Sequence, residues 1–289
     1  MELQIINVGQ GNWNVLKMSY SNLFYDLGTC KNENESNIKK NIIDKNSEFF
    51  DKPFGVVISH WDVDHYRLII SLEKDKKLGN VMFFVCPENR PTLTAQKAYN
   101  IIKKTTKALV FEVPNLAKGS IIGRRGETPY KRFCDNLFNH PLLQKDLNAI
   151  NYLFGSNNSF FPSLSLYHSV ERKNRNKNSL ILVLNYSVND YVIFTGDSYY
   201  RDLDNYVLSG LDPNMNNIYL IVPHHGGAAG KFMLNNLSFK TAEAFISVGK
   251  NHYGHPLKKN INYLEMKFSN YNVFRTDSPV PLSNIVRIL

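Results

Sequence analysis

His60-Trp61-Asp62-Val63-Asp64-His65 puts four ligand-type side chains within six residues. The apolar run Val56-Val57-Ile58 comes just before it, inside Phe54–Ser59, which reads as a short buried strand. The cluster therefore belongs in a loop at the C-terminal end of a strand. Side chains alternate along an extended segment, so His60, Asp62 and Asp64 are expected on one face, and a tight turn would bring His65 to the same centre. Converging imidazole nitrogens and carboxylate oxygens are what a divalent cation requires. A solvated loop or an isolated Asp–His pair is the bland alternative. Four such residues directly behind an apolar strand argue against it.

Three further clusters repeat this placement. Thr195-Gly196-Asp197 closes the expected strand Tyr191–Thr195, although a Gly-Asp pair alone is ordinarily a turn. Val222-Pro223-His224-His225-Gly226-Gly227 follows Ile218–Val222, and Asn251-His252-Tyr253-Gly254-His255-Pro256 follows Ala244–Val248. The chain has eight histidines, and six of them fall in the three histidine-bearing clusters. All can meet at one edge of the sheets, which histidines scattered through a core would not do.

The rest of the pattern is strand-rich at both ends. Glu2–Val8, Trp13–Met18, Leu23–Leu27 and Val81–Val85 read as strands in the first part, and Ser179–Asn185, Asn272–Arg275 and Ile285–Leu289 in the second. Lys31–Lys45 suits a surface loop or exposed helix. Helices are expected over Tyr66–Leu72, Thr94–Thr106, Tyr130–Leu137, Lys231–Leu237 and Lys259–Lys267. Two strand-rich halves mixed with helices suggest an α/β layered sandwich, with sheets inside and helices outside. A partly helical elaboration is expected around residues 87–177, within one domain over residues 1–289.

The composition fits this picture. The chain is 43% hydrophobic and 20% charged, which excludes disorder by composition. No window carries the roughly 20 apolar residues of a membrane span. Met1–Gln10 has no basic segment followed by an apolar core, so no signal peptide is expected. Cys30, Cys86 and Cys134 cannot all pair within one chain, and none has the CxxC spacing. Reduced thiols and a cytoplasmic location are expected. The net charge of +9 favours a polyanionic partner, with plain solubility as the alternative.

His60-x-Asp62-x-Asp64-His65 resembles the metal-binding signature of the metallo-β-lactamase superfamily, with Asp62 where a second histidine is usual. That variant is similar to the hydrolase domain of the DNA-uptake competence protein ComEC and to the choline-phosphate esterases. Asn7-Val8-Gly9-Gln10-Gly11, Phe24-Tyr25-Asp26-Leu27-Gly28, Asn178-Ser179-Leu180, Thr195-Gly196-Asp197, Val222–Gly226, Ser247–Pro256 and Arg275-Thr276-Asp277 follow in the order of the ComEC-like proteins. Two positions depart from the pattern: Asn12 stands where an acidic residue is usual, and Gly226-Gly227 where Gly-Ser is more frequent.

The resemblance implies an αββα sandwich and two divalent metal ions, Zn2+ or Mn2+, with the added carboxylate leaning somewhat towards manganese. It implies that His60 and Asp62 hold one ion, that Asp64 and His65 hold the other, and that Asp197 bridges them. One of His224 and His225 would complete a shell, with His225 favoured. Asp64 and Asp197 thereby become catalytic. His255 would be a ligand or a general acid, with packing before Pro256 as its alternative. Lys250 and His252 would face a substrate phosphate, or simply solvent. Asp26 would orient a ligand histidine, with Asn178 beside it in support of the ligands.

The expected reaction is phosphodiester hydrolysis, and the expected substrate is DNA. The basic groups Lys103, Lys104 and Lys107, then Lys118, Arg124, Arg125, Lys131 and Arg132, then Arg172, Lys173, Arg175 and Lys177 would follow a phosphate backbone or remain solvated faces. Phe160-Phe161 and Tyr199-Tyr200 are candidate base-stacking pairs, with the core as their commoner destination. The rival readings are hydrolysis of a small phosphoester or cyclic nucleotide, and a non-catalytic binding module stabilised by metal.

Overall fold

A computed structural model describes residues 1–29, 35–88, 90–105, 108–113, 130–134, 163–169, 179–231, 233–269, 272–277 and 284–289. Its strands form two seven-stranded sheets. The first contains β1 (Glu2–Ile5), β2 (Asn14–Lys17), β3 (Asn22–Tyr25), β4 (Phe54–Val57), β5 (Val81–Pro87) and β6 (Leu109–Val113), with β14 (Ile285–Ile288) beside β1. The second runs β13 (Val273–Arg275), β12 (Phe239–Ile246), β11 (Met215–Ile221), β10 (Asp190–Phe194), β9 (Ile181–Ser187), β8 (Ser163–Ser169), β7 (Tyr130–Cys134). In each sheet four consecutive strands are parallel: β3 to β6 in the first and β10 to β13 in the second.

Strand alternation produces three apolar layers. On β3, Leu23 and Tyr25 enter the layer between the sheets, while Phe24 faces outward. On β10, Val192 and Phe194 meet them from the other side, while Tyr191 and Ile193 face outward. Tyr25 stacks on Phe194 across the gap, with ring centroids 5.0 Å apart. The outer face of the first sheet is covered by α1 (Glu35–Lys45), α3 (Leu68–Lys74) and α4 (Leu93–Thr105) through Ile43, Leu72, Ala98 and Ile102. The outer face of the second is covered by a helical segment starting at α5 (Tyr200–Asp202) and by α6 (Lys258–Phe268), through Leu203, Val207, Leu264 and Phe268. Helix, sheet, sheet and helix are thus stacked in four layers, each face buried by the next.

Two expected helices are absent. Tyr130–Cys134 is a strand, paired antiparallel with β8, and the remainder of Tyr130–Leu137 lies outside the described residues. The described residues within Lys231–Leu237 form no helix. There the Asn236 backbone N–H donates to Asp204 Oδ1 and its side chain donates to the Asp204 carbonyl, which ties the segment to the neighbouring helical turn instead. The region around 87–177 also contributes β6, β7 and β8 to the sheets. Among the described residues, no helix is long and apolar enough to cross a membrane.

Candidate metal centre

The parallel strands point their C-terminal ends at one place, where open α/β sheets ordinarily bind ligands. Asp26 follows β3, Ser59 to His65 follow β4, Gly196-Asp197 follow β10, His224-His225 follow β11, and Ser247 to Pro256 follow β12. The first cluster is extended only as far as Asp62; a helical turn, α2 (Val63–Tyr66), then carries Asp64 and His65. That turn brings His65 back to His60, with ring centroids 4.1 Å apart. The loop is clamped from behind, since Asn12 N–H donates to the Asp64 carbonyl and Leu27 N–H to that of His65. Gly28 permits this approach: a Cβ there would stand 1.6 Å from the Asp64 carbonyl oxygen.

Asp197 lies at the middle. His60 Nε2 is 3.7 Å and His224 Nε2 is 3.5 Å from its Oδ2, and Asp62 Oδ2 is 3.6 Å from the same His60 nitrogen. His65 Nε2 is 3.2 Å and His225 Nε2 is 4.0 Å from its Oδ1, and Asp64 Oδ2 is 3.4 Å from the His225 nitrogen. His60 and His224 thus lie toward one carboxylate oxygen and His65 and His225 toward the other, with His65 also close to His60. His224 and His225 both face the centre because both adopt left-handed backbone, at φ 53°. Such residues cost about 1–3 kcal/mol each and persist only where the surroundings enforce them.

Hydrogen bonds set which nitrogen faces inward. His225 Nδ1 is 2.6 Å from the Ser247 carbonyl, which can only accept, so Nδ1 carries the proton and Nε2 presents its lone pair. His65 Nδ1 is 2.7 Å from Asp26 Oδ2, with the same consequence. Asp26 also accepts from Ser59 N–H, Ser59 Oγ–H and the Asn12 amide. With its own proton given to Asp26, Ser59 Oγ accepts from His60 Nδ1 at 3.0 Å. Ser179 Oγ lies 3.2 Å from that nitrogen and accepts from Asp197 N–H.

The electrostatics follow. Burial alone would raise Asp197, but the facing His65 and His60 hold it well below the usual carboxylate range. Burial likewise opposes ionisation of Asp64, and His225 and His65 outweigh it and lower its pKa. Burial would lower His65, but Asp197 and Asp26 raise it well above the ordinary imidazole value. His225 is also raised, the burial penalty being exceeded by its contacts with Asp64 and Asp197. His255, placed 5.1 Å ring to ring from His224, is lowered by burial and then by His224 and His225.

These residues fit a divalent cation. The buried Nε2 atoms of His60, His65 and His225 have no hydrogen-bond partner among the described residues, a costly state for a polar group unless something else occupies the lone pair. His60, His65 and Asp197 form one group of converging donors, and Asp64, His65 and His225 another. The ionised carboxylates supply the negative charge that a cation needs.

The expected outer residues fare differently. His255 packs against Gly227, where a Cβ would stand 2.2 Å from its Cε1. Lys250 and His252 are exposed on the loop after β12; none of the described contacts joins Lys250 to the ligand cluster, and His252 reaches it only through the rings of Tyr253 and His255. Asn178 lies outside the described residues, and Ser179 is the neighbour that reaches the site. Sequence reasoning also passed over Ser59, for which the sequence carries no signal beyond its place at a strand end. Asn12, noted there only as a departure, donates to Asp26, which a carboxylate could not do. Tyr200 is fully buried and belongs to the core, while Phe160 and Phe161 lie outside the described residues. Of the basic groups, Lys103 and Lys104 are exposed at the end of α4. The side chains of the other basic residues lie outside the described ones.

No family model matches the chain, and no curated protein does. Among solved structures, the metallo-β-lactamase-fold protein YhfI from Bacillus subtilis superposes with a TM-score of 0.50 at 13% identity, over 99% of each chain. Human tRNase Z, short form, superposes with a TM-score of 0.48 at 9% identity, over 100% of this chain and 99% of its own. Two sheets packed face to face between helices, with a His/Asp cluster at the ends of their parallel strands, give this chain the metallo-β-lactamase fold.

Proposed function

We propose that the chain is a metal-dependent phosphodiesterase that cleaves DNA at a dinuclear centre within one domain. The observation that carries the reading is the division of donors about Asp197. His60, Asp62 and His224 would hold an ion on the Oδ2 side; Asp64, His65 and His225 would hold one on the Oδ1 side. Bound there, two divalent ions, Zn2+ or Mn2+, supply Lewis acidity at a phosphoryl oxygen and a water acidic enough to ionise near neutral pH. The chain supplies the alignment. Asp26, Ser59, Ser179 and the Ser247 carbonyl fix the three imidazoles with Nε2 inward, so no rearrangement is needed during the reaction.

His255 stands beside His224, with its pKa lowered. Standing there, it is the group to deliver a proton to the leaving oxygen as the P–O bond breaks. Lys250 and His252, exposed on the same loop, are the candidates for the substrate phosphates. DNA as substrate is supported by the net charge of +9 and by the motif resemblance to the ComEC hydrolase domain.

The test is incubation with single- and double-stranded DNA, RNA and bis-(p-nitrophenyl) phosphate, each with manganese, magnesium or zinc, beside Asp64→Ala. Metal-dependent cleavage of DNA that Asp64→Ala abolishes is expected. Cleavage of the small diester alone would replace DNA by a small phosphoester, and cleavage of nothing would favour a binding module.

A further inference from the structure

The loop after β12 carries a row of rings that leads from solvent to the centre. His252 and Tyr253 are 4.0 Å apart by ring centroids, Tyr253 and His255 are 5.8 Å apart and nearly parallel at 25°, and His255 and His224 are 5.1 Å apart. The inner end of the row touches Asp197 through His224. The outer end is open: His252 is exposed, and Tyr253 next to it is 56% exposed.

An exposed tyrosine is commonplace, but this one sits on a loop that is held in place. Asn251 makes four hydrogen bonds inside the loop. Its amide donates to the carbonyls of Gly249 and His255, and its Oδ1 accepts from the backbone N–H groups of Tyr253 and His255. The far end of the loop is tied down as well, by Leu257 N–H on the Gly226 carbonyl and the Asn260 amide on the carbonyls of Gly226 and Gly227. The loop backbone that carries the ring is therefore tied down before anything binds, and the rings of His252 and His255 flank it, which lowers the ordering cost of using it. An exposed aromatic ring stacked against His255 matches a flat aromatic ligand joined to the group being cut.

We propose that Tyr253 is the stacking platform for the nucleobase of a nucleotide flanking the scissile phosphodiester, with Asn251 as the residue that positions it. The inference rests on the nucleic-acid reading given under Proposed function and adds a base contact to it. Lys250, exposed at the root of the same loop, supplies positive charge for the phosphate attached to that nucleotide. Stacking tolerates any base, so Tyr253 sets where the strand lies and not which sequence is cut.

The test uses the full chain loaded with metal. Cleavage is measured on one oligodeoxynucleotide and on a set in which each nucleotide around the cut is made abasic in turn. One abasic position is expected to raise KM about 5- to 100-fold, with kcat little changed. Tyr253→Ala should raise KM for the intact strand by a similar factor and become indifferent to that abasic position, and Tyr253→Trp should restore both. In the Asp64→Ala background, where cleavage is off, 2-aminopurine at that position should be quenched on binding, and Tyr253→Ala should lose the quench. Cleavage and binding that respond to abasic positions equally with and without Tyr253 would overturn the inference and leave the nuclease reading intact. Absence of any nucleic-acid cleavage or binding would overturn both.

Discussion

Gly227 and His255 are matched to each other. The imidazole fills the space a Cβ would need, with Cε1, Nδ1 and Nε2 all within 2.5 Å of that point. Any larger residue at 227 has to move the ring, and Pro256 and the Asn251 hydrogen bonds leave the ring's backbone little freedom. Gly227→Ala is therefore expected to lower kcat on a diester about 100-fold or more, the usual range for a lost proton carrier. His255→Ala should lose as much, and the double variant no more than either, because both act through one ring. Steady-state rates of the three variants check this, and additive losses would separate the two residues. The same scale shows why the site was only partly legible. The proposed ligands His60, Asp62, Asp64, His65, Asp197 and the His224-His225 pair announce themselves by residue type at strand ends. Ser59 and Ser179 do not, because a serine becomes informative only once a histidine nitrogen is seen beside it.

At the scale of elements, the two sheets are joined by more than apolar contact. The Tyr25 hydroxyl, at the end of β3, donates to the Leu180 carbonyl just before β9 at 2.6 Å, and Leu180 N–H donates to the Ser59 carbonyl behind β4. Tyr25→Phe keeps the ring stacked on Phe194 but leaves that buried carbonyl short of a donor. A loss of about 1–3 kcal/mol in urea unfolding is expected, the cost of an unsatisfied buried group. An unchanged midpoint would show that the carbonyl finds another partner. The central strands were legible in the sequence because strands buried on both faces appear as continuous apolar runs, as in Val56-Val57-Ile58. Tyr130–Leu137 reads as helical because a short stretch of mixed polar and aromatic residues has no decisive period, and the pairing of Tyr130–Cys134 with β8 depends on residues far away in sequence. Lys231–Leu237 failed similarly: its local propensity was overridden by the distant Asp204.

Across the whole molecule, each sheet delivers part of the centre from the C-terminal ends of its parallel strands. The first brings Asp26, His60, Asp62, Asp64 and His65; the second brings Asp197, His224, His225 and His255. Among the described residues neither sheet alone brings all of these side chains, so on the proposed reading the sandwich has to assemble for a cation to bind, and binding would in turn stabilise the assembled form. Asp197, entering from the second sheet, offers one oxygen to each set of donors. Metal content per chain, measured by mass spectrometry after dialysis of the purified protein against manganese or zinc, bears on this most directly. The account predicts two ions per chain, falling to about one in Asp64→Ala, which removes a donor only from the Oδ1 side; one ion or none in the unaltered chain would contradict it.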